Sequence, residues 1–407
     1  MTRSLNRRAL LLAGPALVAS PAWAERHPAS QSAQRPSRHP ETPIPPGSGA
    51  STPLGPLDTA ARYAIIMDFN TTATLLDKEA DAEMPPSSMT KLMTAYIVYS
   101  MLKLGRLKLD QDLPVSDTAW RTQGSKMFVP QGGSVKVEDL IRGMIVQSGN
   151  DACIVLAEAI AGSETAFAEL MNAKAKELGL ANSVFRNCTG WPDPEQHMTC
   201  RDIAMLARRI ILDFPEYYRY DSEKTFKYNN IEQQNRNPLV QKGIADGLKT
   251  GHTEAGGYGL AASAQRNGRR IILVANGMTS MHQRAEESER LLEWSFREFE
   301  NVTLFGADDT VEEAKVWLGS TPTVPLVGGR DLVITMPRQW RKTAKVQVEY
   351  ASPVPAPINR GDTLGKLLVS GQGVPDMQVP LLAGADVARM SLPGRAVSVL
   401  SHYVLGT

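Results

Sequence analysis

The stretch Pro86-Ser87-Ser88-Met89-Thr90-Lys91-Leu92-Met93-Thr94-Ala95-Tyr96 opens a helix that is apolar on most of its faces. Helical spacing continues through Ile97, Ser100 and Met101 to about Leu104, and the run stops at Gly105. Such a helix has no broad solvent face, so the rest of the chain must close around it. Ser88 and Lys91 stand at its start, nearly one turn apart, so hydroxyl and amine can share a side. A serine hydroxyl is a weak nucleophile until a base removes its proton. A lysine becomes that base where burial or a neighbouring cation lowers its pKa. Alone, the pair says little. Ser-x-x-Lys occurs about once by chance in a chain of this length, and an N-cap serine followed by a solvated lysine has the same spelling.

Two later stretches change the weight of the first. Ser148-Gly149-Asn150 lies between two apolar helical runs, Val137 to Val146 and Asp151 to Ala161. A glycine there permits a sharp turn, so Ser148 and Asn150 can project the same way. A glycine C-cap followed by an N-cap explains the same letters. Lys249-Thr250-Gly251-His252 precedes two strand candidates, Tyr258 to Ala264 and Arg270 to Ala275, joined by Asn267-Gly268, a strong hairpin signal. Gly251 then allows another backbone or a ligand to come close. Lys-Thr-Gly is expected by chance in about one such chain in ten.

The element pattern predicts an α+β fold. A strand pair at Tyr63–Phe69 and Ala73–Leu76 comes first, several helices follow, and the Asn267-Gly268 hairpin and a helix over Ser280–Phe299 close the unit. That order implies an antiparallel sheet assembled from both ends, with a helical cluster inserted between, over residues 58–300. Residues 301–383 change character to alternating strands, a small all-β domain. The tail from Pro393 to Leu405 sets Val397, Leu400 and Val404 on one helical face. It reads as an amphipathic anchor over 384–407 on a membrane surface, or as a helix packed on the β domain.

Composition sets the compartment and excludes some partners. The 407 residues carry a net charge of +1, which argues against a nucleic-acid partner. Arg3, Arg7 and Arg8, the apolar run Ala9–Ser20 and the small-x-small site Ala22-Trp23-Ala24 read as an export signal over residues 1–24. Residues 25–57, rich in Pro, Ser, Gln and Arg, read as a disordered tether. Export implies an oxidising compartment. Of the three cysteines, Cys188 and Cys200 could pair, and Cys153 sits in an apolar helical run. No metal-ligand cluster stands out, and no cofactor is expected.

Ser-x-x-Lys, Ser-x-Asn and Lys-Thr-Gly, in that order, form the motif set of penicillin-binding proteins and class A β-lactamases. The wording around Ser88, Ser148-Gly149-Asn150-Asp151-Ala152-Cys153 and Asp246-Gly247-Leu248-Lys249-Thr250-Gly251-His252-Thr253 resembles the bacterial D-alanyl-D-alanine carboxypeptidases, low-molecular-mass penicillin-binding proteins of the peptidase S11 type. The resemblance covers residues 58–300 well and the remainder less specifically. It implies a β-lactamase/transpeptidase-like catalytic domain carried on the β domain, and a serine acyl-transfer enzyme that removes the terminal D-alanine of peptidoglycan stem pentapeptides. It implies that Ser88 attacks, Lys91 takes the proton, Ser148 relays it to the leaving amine, and Asn150 orients the acyl peptide. Lys249, Thr250 and Arg284 would meet the substrate carboxylate, with Arg236 a second arginine near the site. Backbone N–H groups of Ser88 and His252, beside Gly251, would form the oxyanion hole. β-Lactams would acylate the same serine. The expected location is periplasmic, peripheral on the outer face of the cytoplasmic membrane if the tail anchors there.

Three rivals follow from the same residues. A β-lactamase needs a fast deacylating base, usually a glutamate on a loop before Lys-Thr-Gly, and no convincing one is present. A D,D-endopeptidase acting on crosslinks differs little in sequence, though such enzymes often lack the extended C-terminal domain. A non-catalytic muropeptide binder would be expected to have lost Ser88, Lys91 or Lys249, and none is missing.

Overall fold

The computed structural model describes residues 49–371, 374–391 and 394. The first hairpin is β1 (Tyr63–Asp68) and β2 (Thr74–Lys78). It joins β3 (Gly247–Thr253), β4 (Gly257–Arg266) and β5 (Arg269–Met278) in one antiparallel sheet of order β2-β1-β5-β4-β3. The chain's two halves therefore meet at β1 and β5, where Ile65 faces Val274. Asn267 and Gly268 both take positive φ, 49° and 80°, the geometry that matches a two-residue turn to the strand twist.

Period-two alternation gives the sheet two apolar faces. Ile65, Met67, Ala261, Ile272 and Val274 pack on a helical cluster. That cluster contains α1 (Lys91–Lys103), α2 (Val137–Val146), α3 (Asn150–Ala161), α4 (Glu164–Glu177) and α5 (Cys200–Asp213). Ala64, Ile66, Leu260, Leu273 and Ala275 pack on α6 (Met281–Glu298) through Leu291, Leu292 and Trp294. The result is three layers, helices, sheet and helix. Every residue of α1 from Lys91 to Tyr99 is buried, as an all-apolar helix requires. Each fully buried Leu, Ile or Met contributes about 1.5–3 kcal/mol.

The helix begins at Lys91, later than the apolar pattern predicts. Ser88 sits in a 3₁₀ turn, Ser87–Thr90, entered by Ser87 at φ 50°. Two glycines explain the departure. A Cβ on Gly190 would lie 1.8 Å from the Ser87 carbonyl oxygen, and one on Gly251 would lie 3.0 Å from that of Pro86. The turn is thus wedged between β3 and the loop before α5.

β6 (Phe299–Phe305) follows α6 without a linker and pairs with β9 (Leu332–Pro337). Around them β7 (Glu312–Trp317), β8 (Thr323–Val327), β10 (Lys345–Tyr350), β11 (Val354–Pro355), β12 (Thr363–Gly371) and β13 (Val374–Ala383) form a second sheet, ordered β10-β12-β13-β8-β7-β11. Its core holds Leu326, Leu367 and Leu381. The all-β second domain expected from the sequence is present.

A buried network ties the two domains together. Asp68, at the end of β1, accepts from Arg269 Nε at 2.9 Å and from Asn301 Nδ2 at 3.2 Å. It also accepts from the N–H groups of Asn70 and Thr71. Arg269 continues to the carbonyl of Phe299 at 2.8 Å, and the Thr335 hydroxyl donates to Asn301 Oδ1 at 2.9 Å.

Two expectations need correction, and the open pairing of Cys188 with Cys200 is answered. The last residues of the predicted tether are ordered: Ala50 bonds to Leu57, Ser51 bonds to Asp77, and Ala50 is buried. They cover the free edge of β2, which a sheet cannot leave as an open template. Residues 384–390 are extended rather than helical, with Val387 bridging to Ile358 and Arg389 to Gly319. Cys188 and Cys200 are free and buried apart: the Cys188 thiol donates to Glu164, while Cys200 lies 3.9 Å from the Met84 sulfur. The export signal, residues 25–48 of the tether and nearly all of the 393–405 tail lie outside the described residues. Among the described residues no helix is long and apolar enough to cross a membrane.

Candidate active site

The three motifs converge at the wedge where the Ser88 turn meets β3 and the start of α3. Lys91 Nζ lies 2.9 Å from Ser88 Oγ. It also donates to Asn150 Oδ1 at 2.8 Å and to the Thr189 carbonyl at 2.5 Å. An ammonium has three N–H donors, and all three are used. Lys91 is 1% exposed, and burial pulls its pKa down, with the Arg236 cation adding to the effect. A neutral amine there has a lone pair in place of one donor. Ser88 offers the hydroxyl proton that can meet it, because the Thr189 carbonyl and Asn150 Oδ1 are acceptors only. The geometry therefore singles out Ser88 as the group from which Lys91 can take a proton.

Asn150 holds the same amine, and Ser148 stands two residues before it in the turn into α3. The left-handed residue in this turn is Ser148, at φ 69°, and not Gly149, as the flexible-glycine reading supposes. Gly149 serves close approach instead: a Cβ there would lie 2.9 Å from Asp151 Oδ1 and 3.2 Å from the Gly143 carbonyl. Ser148 Oγ is buried and has no hydrogen-bond partner among the described residues. A buried hydroxyl left without a partner calls for an explanation, and a ligand or a transient proton supplies one.

β3 delivers the third motif. Lys249 is 3% exposed, and its Nζ bonds only weakly, at 3.3 Å, to the Thr250 carbonyl. Burial pushes its pKa well down, and the charges of Lys91, Arg236 and Arg284 push the same way. Gly251 permits the contact of β3 with the turn: a Cβ on it would fall 3.3 Å from the Ser88 nitrogen. His252 is exposed and stacks on Tyr258 at 3.9 Å between ring centroids. Arg284 comes in from α6, 7% exposed, with its guanidinium 5.9 Å above the Tyr258 ring and its Nε without a partner among the described residues. Arg236 is exposed, donates to Ser125 Oγ at 2.7 Å, and offers its carbonyl to Arg284 at 3.4 Å. Four basic side chains thus act on one another in one cleft, while the Asp151 carboxylate is turned to the N–H groups of Met127, Phe128 and Val129. The surplus positive potential suits an anionic substrate.

Sequence reasoning missed several supports. Asp151 fastens the 123–129 loop, whose Gln123 carbonyl holds Asn150 Nδ2 at 2.8 Å. Asn187 Oδ1 accepts from the N–H groups of Thr189, Gly190 and Trp191, shaping the loop that offers the Thr189 carbonyl to Lys91. The only signal for this loop is a polar residue ahead of a glycine, which many turns share.

A family model described as D-alanyl-D-alanine carboxypeptidase, peptidase S11, matches residues 49–280, and one for the C-terminal domain of penicillin-binding protein 5 matches residues 299–389. The chain is 40% identical to D-alanyl-D-alanine carboxypeptidase DacC of Escherichia coli K12 over 344 residues, covering 82% of this chain and 86% of that one. It is 37% identical to DacA of Haemophilus influenzae, covering 84% of this chain and 88% of that one. Among solved structures, penicillin-binding protein 5 of H. influenzae superposes with a TM-score of 0.77 at 36% identity, covering 82% of this chain and 99% of that one.

Proposed function

The chain belongs to the peptidase S11 family of D-alanyl-D-alanine carboxypeptidases, and from that membership we propose that Ser88 is the nucleophile with which it removes the terminal D-alanine of peptidoglycan stem pentapeptides. The protein is a serine-type hydrolase. Neutral Lys91 takes the Ser88 proton as the oxygen attacks the carbonyl of the penultimate D-alanine. The N–H groups of Ser88 and His252 carry the oxyanion. The C–N bond breaks as the proton passes through Lys91 and Ser148 to the departing amine. Water, deprotonated by the same lysine, then cleaves the ester and restores Ser88. Lys249, Thr250 and Arg284 bind the terminal carboxylate, Asn150 orients the acyl peptide, and Arg236 keeps the 125 loop in place. The observation that carries the assignment is the 2.9 Å contact between Ser88 Oγ and a buried amine with no carboxylate bonded to it.

Penicillins present a strained amide and a carboxylate in the same spacing and acylate Ser88. Solved relatives include penicillin-binding protein D2 of Listeria monocytogenes in ampicillin-bound form, at 27% identity over 59% of this chain, with a TM-score of 0.52. The leader with its Ala22-Trp23-Ala24 site supports export to the periplasm. The tail over 393–405 then holds the enzyme to the outer face of the cytoplasmic membrane.

Mass spectrometry of the purified mature protein with penicillin, beside Ser88→Ala, with D-alanine release assayed from a pentapeptide, tests the whole reading. An adduct on Ser88 with slow turnover and free D-alanine is the expected result. Fast penicillin hydrolysis without D-alanine release would make the protein a β-lactamase. Neither adduct nor release would overturn the catalytic assignment.

A further inference from the structure

Trp191 is 48% exposed, one of the large apolar side chains left open to solvent, and it stands at the mouth of the cleft. Its ring approaches Gly124 so closely that a Cβ on Gly124 would lie 2.9 Å from Trp191 Cζ3 and 2.8 Å from Asn150 Nδ2. The indole is therefore a near neighbour of the amide assigned to hold the acyl peptide. Its backbone is fastened at both ends. The Trp191 N–H donates to Asn187 Oδ1 and Thr189 Oγ1, each at 3.1 Å, and its carbonyl accepts from Asn187 Nδ2 at 3.0 Å. The same loop presses on the Ser88 turn through Gly190, while β3 presses on it through Gly251. A substrate lying across Ser88 has its carboxylate on the β3 side. Its upstream residue then leaves toward the Trp191 side.

We propose that Trp191 is a specificity residue of this enzyme, a fixed indole platform that stacks against the methylene stem of the residue preceding the two D-alanines. This rests on the carboxypeptidase reading above. Indole rings give large contact area at small entropy cost because few torsions must be fixed. Here the loop is already held by Asn187, so ordering cost is lower still. A short or glycyl residue at that place leaves the ring bare; a long acylated side chain covers it.

The test compares kcat/KM for Nα,Nε-diacetyl-lysyl-D-alanyl-D-alanine and acetyl-glycyl-D-alanyl-D-alanine in wild type, Trp191→Ala and Trp191→Phe. Wild type is expected to favour the lysyl peptide by about tenfold or more, the size of one good aromatic contact. Trp191→Ala is expected to bring that ratio close to one, and Trp191→Phe to keep part of it. A ratio unchanged in Trp191→Ala overturns the proposal. So does an equal loss on both peptides through kcat, because that is the mark of a loop that merely places the Thr189 carbonyl on Lys91. If wild type releases no D-alanine from either peptide and forms no penicillin adduct on Ser88, the carboxypeptidase reading itself has failed, and the platform with it.

Discussion

At the scale of single residues, the proposed mechanism puts the chemistry and its pH dependence on the two buried lysines. Lys91 must be neutral to act, and burial lowers its pKa, so acylation by penicillin is expected to rise with pH as Lys91 loses its proton. In the proposed role Lys249 binds the carboxylate as a cation, so that binding falls as Lys249 loses its proton, and kcat/KM against pH is expected to be a bell. Lys91→Arg keeps a cation but supplies no base, and is expected to reduce acylation by about 10³-fold, measured by adduct formation over time. Lys249→Met removes an ammonium with one weak bond. It is expected to cost at least about 10²-fold in kcat/KM and to raise stability by about 1–2 kcal/mol in a denaturant titration. The sign follows from linkage. With a folded pKa below its unfolded value, Lys249 holds fewer protons in the folded chain between those two pKa values. Its penalty is fully present below the folded pKa and fades as pH rises toward about 10.4. In Lys249→Met that rise in stability with pH disappears.

At the scale of elements, contacts between backbones decide where the motifs meet. Gly190 and Gly251 bring a loop and a strand against the Ser88 turn. Gly190→Ala adds a Cβ 1.8 Å from a carbonyl at a residue with φ 82°, and is expected to destabilise by about 3 kcal/mol or more in thermal melts. Gly251→Ala meets its neighbours at 3.0 Å. It is expected to fold, with penicillin acylation slowed by about tenfold or more as the turn shifts. Much of this level was legible in the sequence. Val137–Val146 ends where its pattern ends, because hydrophobic period and flanking turns agree there. The Asn267-Gly268 turn announces itself through its need for positive φ. Ser88, Lys91, Asn150 and Lys249 were legible as side chains of particular chemistry. The Thr189 carbonyl was not, since every residue has one. Nor was the left-handed backbone of Ser148, since a neighbouring glycine is the usual bearer of that conformation. The 3₁₀ start of the catalytic helix is also invisible in sequence, because Gly190 and Gly251, far along the chain, impose it from either side.

At the scale of the whole molecule, the Asp68 network decides how the catalytic unit meets the β domain. Asp68 lies inside the predicted first strand with nothing local to mark it, for its partners lie at Arg269 and Asn301. Asp68→Ala leaves the Arg269 guanidinium uncompensated at a site 9% exposed, and is expected to cost about 3–5 kcal/mol in chemical denaturation. Asp68→Asn keeps a hydrogen-bond acceptor and is expected to lose less. The network has a further consequence, because Glu298 ends α6 and Phe299 begins β6 with nothing between. A joint with no slack chain, braced by the Asp68 bonds, resists swing. On the proposed reading, the cleft is therefore expected not to reach its substrate on a jointed arm. It would then meet stem peptides as the entire body turns and drifts, more than by motion within that body.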